Sequence, residues 1–165
     1  MAASDRERAD LLETLAKHRG FLRQTIAGLD GAQIRTRSTV SELTLGGIVK
    51  HVTAMEGTWR TFMRVGAEAF ADATPEKFMA EWRLDDGETA DSLLAAHAAA
   101  AARTDAVIAE ADLDADHLLP EAPWFPPGAA WSVRRVALHL IAETAQHAGH
   151  ADIIREAIDG AKTMG

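Results

Sequence analysis

Glu143 and His147 stand four residues apart in a segment that otherwise reads as one amphipathic helix, from about Ser132 to Ile158. Side chains at i and i+4 lie one above the other on a helix face. The inward stripe of this helix is Val133, Val136, Leu140, Thr144, His147, Ala151 and Ile154. Glu143 borders that stripe, and His150 lies one further turn along on the same flank. A carboxylate beside an apolar stripe is costly unless it is paired or bound to a cation. The two imidazoles next to it indicate which cation, because His and Glu ligate zinc and its divalent neighbours. The same i, i+4 pair also serves as an ordinary helix-edge ion pair.

A third ligand would have to come from another helix. His18, His51, His97 and His139 are the candidates. His51 sits at the edge of its stripe, one turn from Ile48 and beside Met55, whereas His18 and His97 fall nearer the centres of theirs. Spacing alone does not choose among the four. A core-facing histidine is commonly just hydrogen-bonded, and that reading applies most to His18 and His97. His117 reads as a loop residue, and His139 as a residue behind a ligand or on the surface. Trp59, Trp82, Trp124 and Trp131 read as core more than as pocket, although aromatics also line ligand sites. Three protein ligands with an open fourth position would make the metal catalytic rather than structural.

The elements that must position these residues are helices. Alanine is about a fifth of the chain, and alternating β-branched patterns are scarce. Leu11, Leu15, His18, Leu22, Thr25 and Leu29 predict a first helix from about Ser4 to Leu29, stopped by Gly28 and Asp30-Gly31. Leu45, Ile48, Val52, Met55, Trp59 and Phe62 predict a second, from about Thr44 to Val65. Thr74-Pro75-Glu76 predicts a short helix around Glu76–Trp82. A third long helix spans about Thr89 to Ala111, on the stripe Leu93, His97, Ala101, Thr104 and Ile108. Its Ala95–Ala102 stretch would allow close backbone packing. Residues 112–131, with Pro120, Pro123, Pro126 and Pro127, read as a loop. The expectation is an all-α four-helix bundle with one long crossover, a single domain over residues 1–165.

Composition narrows the function. The 165 residues include no cysteine, which excludes disulfides, cysteine nucleophiles, thiolate metal sites and iron–sulfur clusters. Seventeen basic against 25 acidic residues give a net charge of −8 with no basic run, so nucleic-acid binding is disfavoured. Met1-Ala2-Ala3-Ser4-Asp5-Arg6 leads straight into charge and shows no signal peptide. No apolar run reaches a membrane span. The expectation is a cytoplasmic protein acting on a small molecule, with neither nucleic acid nor membrane as partner.

Two segments carry a resemblance. Leu43-Thr44-Leu45-Gly46-Gly47-Ile48-Val49-Lys50-His51-Val52 resembles the first metal-ligand segment of the DinB-like (YfiT-like) metalloenzyme superfamily. The run from Trp131 through Glu143, His147 and His150 to Glu156 resembles its last helix and is similar in particular to that of an actinobacterial branch, and the similarity extends through nearly the whole chain. The resemblance implies an up-down-down-up bundle, often a homodimer, with a divalent metal held by three side chains. Many members use three histidines. Here Glu143 replaces one of them, giving the His, Glu, His set found in the related mycothiol-dependent maleylpyruvate isomerases. It thus implies His51, Glu143 and His147 as ligands of zinc or nickel, with His150 lining the pocket or supporting the site. His18 and Arg19 match a His/Arg position near the site, and Trp59 is a further pocket candidate. The implied activity is a mycothiol-dependent S-transferase or isomerase, in which the metal holds the thiol as thiolate. A metal-dependent hydrolase and a non-catalytic, ligand-binding stress protein are the alternatives.

Overall fold

The computed structural model describes residues 3–163; Met1, Ala2, Met164 and Gly165 lie outside it, and with them part of the N-terminal reading above. Five helices form, α1 (Ala3–Ile26), α2 (Leu45–Val65), α3 (Pro75–Ala80), α4 (Ala90–Glu110) and α5 (Val133–Asp159). Local chemistry sets their ends. Thr44 caps α2 by accepting from the Gly47 N–H, Thr89 and Ser92 cap α4 reciprocally, and Ser132 accepts from the Arg135 N–H at the start of α5. Gly160, at φ +80°, closes α5 in the left-handed conformation that glycine adopts freely. Gly28, at φ +75°, likewise keeps α1 from reaching Leu29, so the helix stops at Ile26.

The four long helices run up, down, down, up. Arg134 near the start of α5 pairs with Glu7 near the start of α1, while Arg155 near its end donates to the carbonyls of Thr25 and Ala27, so α1 and α5 are parallel. Lys50 meets Glu88 just before α4, and Thr53, a turn further along α2, meets His97 further along α4, so α2 and α4 are parallel too. Arg8 of α1 donates to the Ala111 carbonyl at the end of α4, which makes those two antiparallel. The closest-packed pairs are α1 with α5 and α2 with α4, and α2 also lies against α5. Because α2 and α4 point the same way, residues 66–89 must climb back the length of the bundle. They form the long crossover, which includes a 3-10 turn at Gly66–Phe70 and α3.

One apolar cluster fills the interior, with Leu15, Leu22, Ile48, Phe62, Ile108 and Leu140 among its fully buried members. Every residue of the inward stripe expected for the last helix is buried. Two expectations need correction. The segment 112–131 is more than a loop, since β1 (Asp116–Leu118) and β2 (Ala130–Ser132) pair antiparallel with His117 opposite Trp131 and close it at its base. On α1 the core position belongs to Arg19, which is buried, and His18 is only half-buried against Phe21. Among the described residues no helix is long and apolar enough to cross a membrane.

Candidate metal centre

The antiparallel contact of α2 with α5 brings His51 and His147 together, ring centroids 5.2 Å apart and nearly edge to face. Glu143 Oε2 lies 3.6 Å from His147 Nε2, and Glu143 Oε1 lies 3.9 Å from His139 Nδ1, one turn back. The His150 ring is 5.6 Å from that of His147. The α5 face thus carries a ladder of His139, Glu143, His147 and His150, with His51 facing it from α2. The Nδ1 atoms of His147 and His150 are buried without a hydrogen-bond partner.

Burial dominates the acid–base chemistry here. It pushes the His51 imidazole down to about 4, with repulsion from His147 adding to the effect. It lowers His147 as well, against the pull of Glu143, and lowers His139 for the same reason. These imidazoles are therefore neutral at pH 7, the form in which histidine ligates a metal. The donor set fits a divalent ion by chemistry: two neutral imidazoles, one of them with a buried nitrogen that has no partner, and a carboxylate. Among the described residues, however, no group of three His, Asp or Glu side chains already stands close enough to hold a metal ion.

A cleft of about 310 Å³ opens beside His51. Met55 and Trp59 of α2, Phe70, and Phe78 of α3 give it apolar walls, while Asp72, Lys77 and Glu81 add charge at its side. Trp59 is buried, stacks on Trp131 at 4.9 Å and receives the edge of His139. Arg135 lies over the outer side of the same stack, 5.1 Å from the Trp131 ring centre.

Of the residues expected near the site, His51, Glu143, His147, His150 and Trp59 come together at the α2–α5 seam or in the adjoining cleft. Arg19 does not. Its guanidinium is taken by Glu56 and Asp105 on the α1- and α4-facing side of α2, about 140° around the helix from His51. His18 contacts Phe21 instead of the cluster. His97 is buried in α4 with Nδ1 3.3 Å from the Thr53 hydroxyl, away from the cluster.

Sequence reasoning missed Glu81, and it read Trp82 as core more than as pocket. Glu81 Oε2 lies 3.2 Å from His51 Nδ1, and the Trp82 ring stacks on the His51 ring at 3.8 Å and 15°. Residues 71–80 just before them are all exposed, so no apolar period marks this segment; the Thr74-Pro75 start is its one local signal.

A family model described as Mycothiol-S-transferase matches residues 10–160. A crystal structure of a conserved protein from Enterococcus faecalis superposes with a TM-score of 0.63 at 15% identity, covering 98% of this chain and 99% of that one. That likeness is one of fold. No curated protein matches the chain significantly.

Proposed function

Since the chain belongs to the mycothiol-S-transferase family, a DinB-like family, we propose that it joins mycothiol sulfur to an electrophilic small molecule, using a divalent metal held by His51, Glu143 and His147. The observation that carries the metal is the seam itself, where the His147 ring lies 5.2 Å from that of His51, with Glu143 3.6 Å from its Nε2 and its Nδ1 buried without a partner. An orphaned buried polar atom costs about 1–3 kcal/mol, which coordination through that nitrogen would remove. At 3.6 and 3.9 Å, Glu143 is beyond hydrogen-bond length from both neighbouring histidines. Held by neither, its carboxylate would be the group that rotates about its side-chain torsions to complete the donor set.

Zinc or nickel suits these donors, and either lowers the pKa of a thiol so that the sulfur is held as thiolate, the nucleophile. In the transfer an S–C bond forms, the leaving group departs with its electron pair, and the thiol proton passes to a base. His150 is the base this reading assigns, because its Nδ1 is unpartnered and its ring lies against that of His147. Met55, Trp59, Phe70 and Phe78 would take the apolar part of the electrophile. On the same reading the protein is a cytoplasmic homodimer, joined through the alanine side of α4, where Ala95, Ala96, Ala98, Ala99 and Ala102 face outward.

The test is mycothiol consumption with a panel of electrophiles, by protein purified without a histidine tag, alongside elemental analysis. The expected result is about one divalent ion per chain and turnover that chelation abolishes and zinc or nickel restores. Full turnover by metal-free protein would remove the metal and leave the transferase. No turnover with any electrophile would remove the transferase.

A further inference from the structure

The His51 ring is enclosed by three side chains from one turn of chain. Glu81 meets its Nδ1 at 3.2 Å, Trp82 stacks on its face at 3.8 Å, and Phe78 presents an edge at 5.8 Å. This turn takes Phe78 from α3, whose own residues are all exposed, and Glu81 and Trp82 from just after it. It is nevertheless pinned to α2 at several points. A Cβ on Gly47 would meet the Trp82 carbonyl oxygen at 2.5 Å, and one on Gly46 would meet the Leu84 side chain at 2.4 Å, so the turn rests directly on the helix backbone. Just beyond it, Lys50 bonds Asp85 at 2.7 Å and Glu88 at 3.0 Å, and Arg35 donates to the carbonyls of the same two residues.

We propose that Glu81 is a positioning residue that fixes the tautomer and ring orientation of His51, leaving Nε2 as the nitrogen free to bind the metal. The metal part of this inference rests on the function proposed above; the tautomer part does not. A carboxylate only accepts hydrogen bonds, so the nitrogen it faces carries the hydrogen and the lone pair moves to the other. Carboxylates behind histidine ligands act in this way, and their loss typically weakens metal binding by about 10–100-fold. The Trp82 stack and the anchors at Gly47 and Lys50 hold the carboxylate in place before any ligand arrives.

The experiment is long-range nitrogen–proton NMR of the histidine rings in metal-free protein, with zinc titration, on the wild type, Glu81→Leu and Glu81→Gln. His51 in the wild type is expected as the Nδ1–H tautomer. Glu81→Leu removes the acceptor, so the Nε2–H form should become dominant and zinc affinity should fall about 10–100-fold. Glu81→Gln keeps an acceptor and should retain both the tautomer and the affinity within a few-fold. An unchanged His51 tautomer in Glu81→Leu overturns the proposal. So does Glu81→Gln losing zinc while its tautomer stays, since Glu81 would then be a ligand itself. If the wild type binds no zinc, the metal reading of the site fails, and the tautomer comparison still decides whether Glu81 orients His51.

Discussion

Arg19 and Glu56 are joined by two hydrogen bonds, of 2.5 and 3.2 Å, with side chains only 3% and 1% exposed. Asp105 of α4 meets the same guanidinium at 2.7 Å, so one arginine of α1 ties α2 and α4 together inside the bundle. The role is structural, and it makes a definite claim about stability. Glu56→Ala leaves a buried, half-compensated guanidinium and should cost about 3–5 kcal/mol. The double variant Arg19→Met/Glu56→Leu should recover most of that loss. Urea denaturation of the wild type and the two variants checks both, and a double variant no more stable than Glu56→Ala would refute the compensation.

His97 predicts a pH dependence. Burial, helped by Arg19 and Arg23, pushes its imidazole down to about 4 from 6.5. In the unfolded chain it takes up a proton near pH 6.5, whereas the native protein resists until about pH 4. The unfolded state therefore binds more protons between those values, and stability falls as pH falls through that window. The contribution of this one residue is up to about 3 kcal/mol. Denaturation of metal-free His97→Leu at pH 7, 5.5 and 4.5 should show a shallower slope than the wild type. The slope should not vanish, because His51 is shifted in the same sense. Equal slopes would contradict the assignment.

Ligand loss should separate a catalytic from a structural metal. The helices carrying His51 and His147 have complete apolar stripes, so His147→Ala should keep its helix content while losing bound metal and thiol transfer. His150→Ala should keep the metal and change activity about 10–100-fold. Circular dichroism with metal analysis reads both. Unfolding of His147→Ala would make the site structural, and retention of metal there with loss in His150→Ala would reverse the ligand assignment.

Gly47 is a close-approach position rather than a turn. A methyl group there would sit 2.5 Å from the Trp82 carbonyl oxygen, and backbone cannot swing aside as a side-chain tip can. Gly47→Ala should cost about 1–3 kcal/mol and lift Glu81 and Trp82 from His51. Melting temperature and tryptophan emission together check this; a stable variant with wild-type emission would show that the contact is slack.

Assembly is read from light scattering. The expected mass is twice the 17.7 kDa of the chain, and Ala98→Glu on the exposed face of α4 should return it to one. A monomer at micromolar concentration counts against the dimer.

Much of this was legible in the sequence because it depends on period and local chemistry. The α5 stripe, the helix starts near Thr44, Thr89 and Ser132 and the one-turn spacing of Glu143 from His147 are properties of a single helix, and a helix face can be computed from residue numbers. Choosing His51 over His97 or His18 took a family resemblance, since spacing within a helix says nothing about which other helix lies opposite. The tertiary structure decided three things. It set Arg19 rather than His18 in the core, because a long guanidinium reaches two carboxylates on two other helices and a stripe count cannot weigh that pairing. It closed residues 112–131 with a two-stranded sheet, whose pairing is non-local. And it laid Glu81 and Trp82 over His51 from a crossover that buries nothing in α3. A segment held by carbonyl contacts and distant charges leaves no hydrophobic period, so its place on the site becomes visible only once the helices are packed.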